Sequence, residues 1–324
     1  MQMQIVNAER VHALLDYPGL IDAFRQAHKG GMPKHSGRFI FSEPNTDAQA
    51  DALIVLPAWQ PGEGIVVKMI TSFPLNRARH NMATVQSLYV YLNGATGVPE
   101  AAVDGEALIF RKTSADSALG ASILARDDAE EFLMIGAGAL APYLVRAHLT
   151  VRPGIRRVTI WNRTAANAAR LAAALSAEGI PAELTEDLDA AVARADIISS
   201  ATMATEPHLK GSLLKPGAHV DLVGSFTPEM RESDDDVLTR AKLFVDHRQT
   251  TERSGEFLGP FARGVITPSD VRGDLYELVQ GRVPGRSSAA DITLMKNGGG
   301  AHLEYYVTKY LMDRLHERPF STTC

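Results

Sequence analysis

Residues 131–141, EFLMIGAGALA, join a short apolar run to a glycine-rich turn and the start of a helical pattern. The run FLMI predicts a buried strand, and Leu140 to Thr150 predicts a helix. Gly136 to Ala141 fits G-x-G-x-x-A, in which the first glycine permits the tight turn and the second lets the backbone approach a pyrophosphate. This context predicts a dinucleotide-binding turn, and the alternative is an ordinary strand–helix turn.

Strands and helices continue to alternate beyond this turn. Apolar runs recur in RRVTIWNR, ADIISSAT, HVDLVGS and AKLFVDH, and an alanine-rich helical pattern spans 165–178. Alternation with nearly continuous apolar strands predicts a parallel sheet covered by helices on both faces. The predicted fold class is therefore α/β, with a Rossmann-type doubly wound parallel sheet.

The second apolar run ends at Asn162-Arg163-Thr164, where an NAD-binding fold carries an Asp or Glu for the ribose hydroxyls. Asn162 does not repel a 2′-phosphate, Arg163 can pair with one, and Thr164 can donate a hydrogen bond to it. These residues predict NADP as cofactor, with NADPH favoured over NADH. The alternative is that Thr164 only caps the next helix and Arg163 is solvated.

Composition narrows the class of protein. The chain has 324 residues, enough for two domains, and a formal charge of −5, which gives no reason to expect nucleic acid or an anionic membrane. The N-terminus shows no signal-peptide pattern and no apolar run is long enough to span a membrane. The single cysteine, Cys324, fits a reducing, cytoplasmic setting. The histidines lack metal-ligand spacing, so no metal is expected.

Residues 31–110 have a different pattern, with short runs such as ALIVLPAW, GIVVKMITSF and QSLYVYLN between Gly, Pro and Asn clusters. These are strand and turn patterns. Helical spacing is found at 8–30, at 111–126 and in a closing helix through Leu315. Lys68 lies among apolar strand residues, where a lysine needs either a partner or a route for its head to reach water.

The chain resembles the ornithine cyclodeaminase and mu-crystallin family over nearly its whole length. The matching pieces are LPAW, GIVVKMITSFPLN, TGVPEAAVDGEALIFRKTSADSALGASILAR, MIGAGALA, VGSFTPEMRE and ITLMKNGGGAH. The resemblance implies a second α+β domain for substrate binding and dimerisation, formed by 1–118 with 292–324, around a dinucleotide-binding domain at 119–291. It also implies a homodimer.

The resemblance assigns candidate roles to particular residues. Lys68 matches the lysine that contacts the substrate carboxylate, while either Lys112 or Arg111 matches a family arginine, and these three are the candidate catalytic residues. Arg38 is a candidate for a second family arginine, with His35 as the alternative. The remaining substrate candidates are Phe226 and Gly298. The cofactor candidates are Thr84, Thr113, Ser114, Gly136, Gly138, Ala139, Leu140, Asn162, Arg163, Thr164, Ala201, Thr202, Val223, Gly224, Ser225 and Asn297.

The segment Val223 to Pro228 bears on the reaction class. Ornithine cyclodeaminases carry an aspartate at the position of Phe226, and phenylalanine cannot exchange protons. The segment instead looks like that of the pyrroline-2-carboxylate reductases, so the resemblance implies reduction of a small cyclic ketimine acid, such as Δ1-pyrroline-2-carboxylate to L-proline. The alternatives are a lyase of the same family and a mu-crystallin-like protein that binds NADP and a small ligand.

Overall fold

The computed structural model describes residues 3–44 and 50–317, so Cys324 lies outside the described residues. The chain divides into two compact units. The first contains Met1–Lys112 and Gly300–Cys324, and the second contains Thr113–Gly299. The boundaries predicted from the sequence, after 118 and before 292, both fall inside the second unit.

Unit 1 is an α+β unit. Its strands are β1 (Gln4–Val6), β2 (His35–Ser36), β3 (Phe39–Pro44), β4 (Ala50–Gln60), β5 (Gly64–Ser72), β6 (Val85–Asn93) and β7 (Pro99–Asp104). Its helices are α1 (Ala8–Leu14), α2 (Tyr17–Gly30), α3 (Asn76–His80), the first part of α4 (Gly105–Leu124) and α11 (Ala301–Glu317). The helical spacing at 8–30 corresponds to two helices, because Asp16 caps α2 by accepting a hydrogen bond from the Gly19 amide at 2.8 Å.

The sheet of unit 1 has the order β1-β7-β6-β5-β4-β2, with β3 also paired to β4. Because side chains alternate along a strand, residues that pair across strands share a face. One face carries Lys68 and its cross-strand partner Tyr89, both buried, and α11 packs on β4 and β5. The other face is apolar but exposed, with Phe41 opposite Leu53.

Unit 2 alternates strands and helices. Its strands are β8 (Glu131–Ile135), β9 (Arg157–Trp161), β10 (Ala182–Leu184), β11 (Ile197–Ser200), β12 (His219–Leu222), β13 (Lys242–Val245), β14 (Val271–Asp274) and β15 (Thr293–Lys296). Its helices are the rest of α4, α5 (Ala141–Val151), α6 (Ala165–Ala177), α7 (Leu188–Arg194), α8 (Asp235–Arg240), α9 (Gly255–Arg263) and α10 (Leu275–Val279).

The eight strands of unit 2 form one parallel sheet, in the order β10-β9-β8-β11-β12-β15-β13-β14. Alternate residues of β8 enter two separate cores: Phe132 and Met134 belong to one, Leu133 and Ile135 to the other. The sheet is therefore covered on both faces, and the predicted Rossmann-type α/β class is confirmed. The chain reverses direction across the sheet between β8 and β11, where such folds bind ligands outside the carboxyl ends of the strands.

Two features explain why the domain boundaries differ from those predicted. The helix α4 runs from Gly105 to Leu124 without a break, so no turn in the sequence marks the change of unit. The strand β15 pairs with both β12 and β13, which places it within the parallel sheet of unit 2. No helix in residues 3–44 and 50–317 is long and apolar enough to cross a membrane.

Candidate functional site

The glycine-rich turn joins β8 to α5. Gly136 has a φ of 103°, a left-handed conformation that favours glycine, and a Cβ there would lie 2.6 Å from the Ala201 carbonyl oxygen. A Cβ on Gly138 would meet nothing within 4 Å, so the space above it is open. The turn and the open face of Gly138 would let a pyrophosphate group approach the backbone. The N-terminus of the eleven-residue helix α5 would favour its negative charge.

Asn162 follows β9, and its side chain makes hydrogen bonds to the loop after β8 and to the loop after β9. Its side-chain oxygen accepts a hydrogen bond from the Ala137 amide at 3.1 Å, and its side-chain nitrogen donates to the Thr164 carbonyl at 3.0 Å. Arg163 and Thr164 are exposed beside it. Thr164 is the N-cap residue of α6, but its side chain makes no capping hydrogen bond. The adenosine side of the predicted cofactor site therefore presents a guanidinium and a hydroxyl group.

The other cofactor candidates of unit 2 lie at strand ends or on α4. Ala139 and Leu140 complete the glycine turn, Ala201 and Thr202 follow β11, Val223, Gly224 and Ser225 follow β12, and Thr113 and Ser114 lie on α4. Several polar side chains among the cofactor candidates of unit 2 make hydrogen bonds within the unit, and Thr202, Ser225 and Asn297 are examples. Ser225 donates to the Met230 carbonyl at 2.5 Å. Asn297 donates to the Thr113 carbonyl at 3.0 Å and to Ser117 Oγ at 3.1 Å.

Unit 1 contains a buried charged cluster of Lys68, Lys112, Glu304 and Tyr89. Lys68 Nζ and Lys112 Nζ lie 3.0 and 2.9 Å from the same oxygen, Glu304 Oε1. The Tyr89 hydroxyl donates a short hydrogen bond to Glu304 Oε2. All four residues are at most 5% exposed. One carboxylate thus holds two ammonium groups side by side in the interior of the unit.

The environment of the cluster shifts the pKa values of its members. Burial lowers the pKa of Lys68 to about 8; the Glu304 carboxylate opposes this effect, and the charges of Lys112 and Arg38 add to it. Burial acts to raise the pKa of Glu304, but the charges of Lys112 and Lys68 outweigh it and lower that pKa to about 2. Glu304 is therefore ionised at neutral pH, and the cluster keeps a net positive charge that a substrate carboxylate would compensate.

The structure separates the two alternatives for the family arginine. Lys112 is the one that joins Lys68 and Glu304. Arg111 donates instead to His12 Nδ1 and to the His12 carbonyl, both at 3.2 Å, and lies over the Tyr17 ring. The two side chains have different partners because successive residues of a helix point about 100° apart, and a catalytic role for either remains a prediction.

The remaining candidates are positioned as follows. Arg38 is exposed between β2 and β3, and its charge acts on Lys68. The Thr84 carbonyl accepts a hydrogen bond from the Phe73 amide at 2.8 Å, just before β6. Phe226 follows β12 and is an exposed residue. The Gly298 amide donates to Asp246 Oδ2 at 2.9 Å, and a Cβ on Gly298 would lie 2.5 Å from Thr250.

Sequence reasoning missed Glu304 and Tyr89. Glu304 could have been recognised from its spacing in the sequence. Helical spacing places it on the same face of α11 as Thr308, Leu311 and Leu315, which are all buried. A carboxylate on such a face predicts a buried partner. Tyr89 gives no comparable sign, since tyrosine is common in strands. In residues 3–44 and 50–317, no group of three or more His, Cys, Asp or Glu residues could hold a metal ion.

Comparison with known proteins gives a consistent result. Residues 1–318 match the profile of the ornithine cyclodeaminase/mu-crystallin family. The Δ1-pyrroline-2-carboxylate reductase of Paracoccus denitrificans is 43% identical over 300 residues, which cover 92% of each chain. Thermococcus litoralis Δ1-pyrroline-2-carboxylate reductase, solved with NADH and L-proline, has a TM-score of 0.90 at 25% identity and covers 99% of this chain and 100% of that one. An archaeal alanine dehydrogenase dimer with bound NAD has a TM-score of 0.87 at 25% identity, over 99% and 98% of the two chains.

Proposed function

Because the chain belongs to the ornithine cyclodeaminase/mu-crystallin family, we propose that it is a nicotinamide-dependent imine reductase that converts a small cyclic ketimine acid, such as Δ1-pyrroline-2-carboxylate, to the corresponding amino acid. The observation that carries this proposal is the buried pair of ammonium groups held by Glu304. A net positive charge in a buried cluster favours an anion, and the substrate of this reaction carries one carboxylate. The 43% identity to a reductase of this substrate supports the same reaction.

The two units have separate tasks in the proposed reaction. The open face of Gly138 and the N-terminus of α5 would hold the pyrophosphate of the cofactor, with Asn162, Arg163 and Thr164 at the ribose. When bound, the nicotinamide ring supplies the hydride. Lys68 and Lys112 hold the substrate carboxylate, so that the contribution of the chain is to orient the imine and to compensate its charge. An imine that is protonated in solution needs no dedicated acid.

The reaction class is tested with two incubations. We expect the protein to oxidise NADPH in the presence of Δ1-pyrroline-2-carboxylate or its six-membered homologue, and to release no ammonia from ornithine with NAD. The family resemblance matches Phe226 to the aspartate of ornithine cyclodeaminases, and the hydrocarbon ring of Phe226 cannot exchange protons with the ornithine nitrogen. Cofactor oxidation is followed by absorbance and ammonia by a coupled assay. Robust ammonia release would falsify the assignment.

We further propose that NADPH binds more tightly than NADH. Arg163→Ala should raise the dissociation constant for NADPH by roughly 10-fold or more, because a charge-assisted hydrogen bond to the 2′-phosphate contributes about 1.5–3 kcal/mol to binding. The same change should leave NADH affinity within about 2-fold, since NADH has no 2′-phosphate to lose. Fluorescence titration of both cofactors measures the two affinities.

The matched control is Arg170→Ala on α6, which removes another surface arginine from the same unit. It should change neither affinity. Equal affinity for the two cofactors in the wild type, unchanged by Arg163→Ala, would contradict the preference for NADPH.

We also propose that the protein forms a homodimer through the exposed face of the unit 1 sheet. Phe39, Phe41, Leu53 and Leu88 are each 39–61% exposed, and strand pairing places all four on the face opposite Lys68. Contiguous exposed apolar surface on one face of a sheet is typical of a protein–protein interface. The related alanine dehydrogenase is described as a dimer, which agrees with this assembly.

Placing a charge on this face tests the assembly. Leu53→Asp should shift the protein from dimer to monomer, because the carboxylate would be desolvated in the interface. Leu184→Asp is the control, since Leu184 is also exposed, at 37%, but lies on β10 in unit 2. Sedimentation velocity gives the two masses. A monomeric wild type, or a dimer that persists in Leu53→Asp, would refute the proposed interface.

A further inference from the structure

The loops after β11 and β12 are joined by one buried carboxylate, that of Glu232. Its Oε1 accepts hydrogen bonds from the Thr202 amide and the Thr202 hydroxyl, both at 2.8 Å, and from Ser200 Oγ at 2.6 Å. Its Oε2 accepts one from the Gly224 amide at 2.7 Å. The residue is fully buried. Four donors, from the last residue of β11 and from the loops after β11 and β12, therefore converge on a single side chain.

These loops also pack closely on the glycine turn. A Cβ on Gly224 would lie 1.9 Å from the Thr202 carbonyl oxygen and 2.8 Å from Glu232 Cδ. A Cβ on Gly136 would lie 2.6 Å from the Ala201 carbonyl oxygen. The ends of β8, β11 and β12, which are neighbours in the sheet, thus touch through backbone atoms with no side chain between them. A shift of one loop must move the others.

Glu232 is itself held in place. Its carbonyl accepts hydrogen bonds from the amides of His208 and Leu209, both at 3.0 Å. Its amide donates a short hydrogen bond to Glu256, whose other carboxylate oxygen accepts from Ser233 Oγ at 2.7 Å. Glu256 is equally buried, but its hydrogen bonds go to the 232–233 segment and not to the two loops. The two buried carboxylates therefore accept hydrogen bonds from different parts of the chain: Glu232 from the ends of β11 and β12, and Glu256 from residues 232–233.

We propose that Glu232 is a positioning residue for the cofactor, which it serves by fixing the ends of β11 and β12 against the glycine turn. The inference rests on the proposed cofactor site at these strand ends. Glutamine has nearly the same shape as glutamate but only one accepting oxygen, so Glu232→Gln leaves either Gly224 or the Ser200–Thr202 group facing an amide that cannot accept. One loop must then move away from the turn.

The test compares Glu232→Gln with Glu256→Gln. Both variants put a neutral amide in place of a buried carboxylate, and both should lower the melting temperature. Only Glu232→Gln should raise the dissociation constant for NADPH, by roughly 10-fold or more, since a lost hydrogen bond to a charged group has about that effect. The Michaelis constant for the imine acid, measured at saturating cofactor, should change by less than about 2-fold in both.

Ser200→Ala provides a milder second variant. This variant removes one of the four hydrogen-bond donors to Glu232 and leaves the carboxylate in place. It should raise the dissociation constant for NADPH roughly 3-fold. Equal losses of cofactor affinity in Glu232→Gln and Glu256→Gln would overturn the inference, and so would unchanged affinity in both Glu232→Gln and Ser200→Ala. If Glu232→Gln fails to fold, unchanged affinity in Ser200→Ala alone overturns it. If the wild type binds no nicotinamide cofactor, both the proposed function and this inference are overturned. If the wild type binds the cofactor but the variants do not behave as expected, only the inference about Glu232 is overturned.

Discussion

Replacing Lys68 with methionine should lower kcat/KM for the imine acid by roughly 100-fold or more, since truncating one partner of a buried charge pair costs about 2–5 kcal/mol. The loss should fall mainly on the Michaelis constant, because the proposed contact between Lys68 and the substrate carboxylate is present in the ground state as well as in the transition state. Methionine keeps most of the apolar stem, so the packing between β4 and β6 is disturbed little. Steady-state kinetics with varied imine acid measures both constants.

The cofactor affinity of Lys68→Met should remain within about 2-fold of the wild type, because Lys68 belongs to unit 1 and the glycine turn to unit 2. Lys34→Met is the control, since Lys34 is exposed in the same unit. It should alter neither constant. Normal turnover by Lys68→Met would show that the substrate carboxylate binds elsewhere.

Replacing Glu304 with glutamine should destabilise the protein by about 3–5 kcal/mol, because it leaves two buried ammonium groups without the carboxylate between them. The double variant Glu304→Gln, Lys112→Met restores the net charge of the cluster and should recover part of that loss. Glu317→Gln is the control on the same helix, where an exposed ion pair with Arg314 contributes about 1 kcal/mol at most. Urea denaturation measures the free energy of unfolding for each variant.

The pH dependence provides a second measurement on Glu304→Gln. In the proposed function Lys68 binds the substrate carboxylate in its charged form, so kcat/KM of the wild type should fall as the pH rises through about 8, the value to which burial lowers its pKa. Removing Glu304 removes an interaction that raises this pKa, so the fall should move to lower pH. If the melting temperature and the alkaline limb are both unchanged in Glu304→Gln, the carboxylate has no role in holding the lysines.

Stability depends on pH through the same two groups and rises with pH in both titration ranges, because both pKa values are lowered in the folded protein. The pKa of Glu304 is about 2 in the folded protein against its usual 4.5, so its contribution is complete above pH 4.5 and is lost as the pH falls towards 2. The pKa of Lys68 is about 8 against its usual 10.5, so between these values the unfolded chain binds more protons and stability rises with pH. The alkaline loss of activity should therefore precede any loss of structure from this cluster.

The fold class and the position of the glycine-rich turn could be predicted from the sequence. Both follow from local rules: an apolar strand, a glycine that must adopt a positive φ, and a helix start all lie within residues 131–141. The apolar neighbours of Lys68 likewise predicted a strand, which the structure contains as β5. These features need no knowledge of which distant segments come together.

Which charged side chains contact one another could not be predicted from the sequence. Lys68, Lys112 and Glu304 are far apart in the chain and converge because α11 returns to the sheet of unit 1. The choice between Arg111 and Lys112 depends on the rotation of α4 about its axis, which spacing does not fix for a helix with apolar residues on most sides. Glu232 is a similar case, since its four donors lie at the ends of β11 and β12, which only the order of strands in the sheet brings side by side. Sequence periodicity reports which residues are buried, whereas the partner of a buried charge depends on how separate elements pack together.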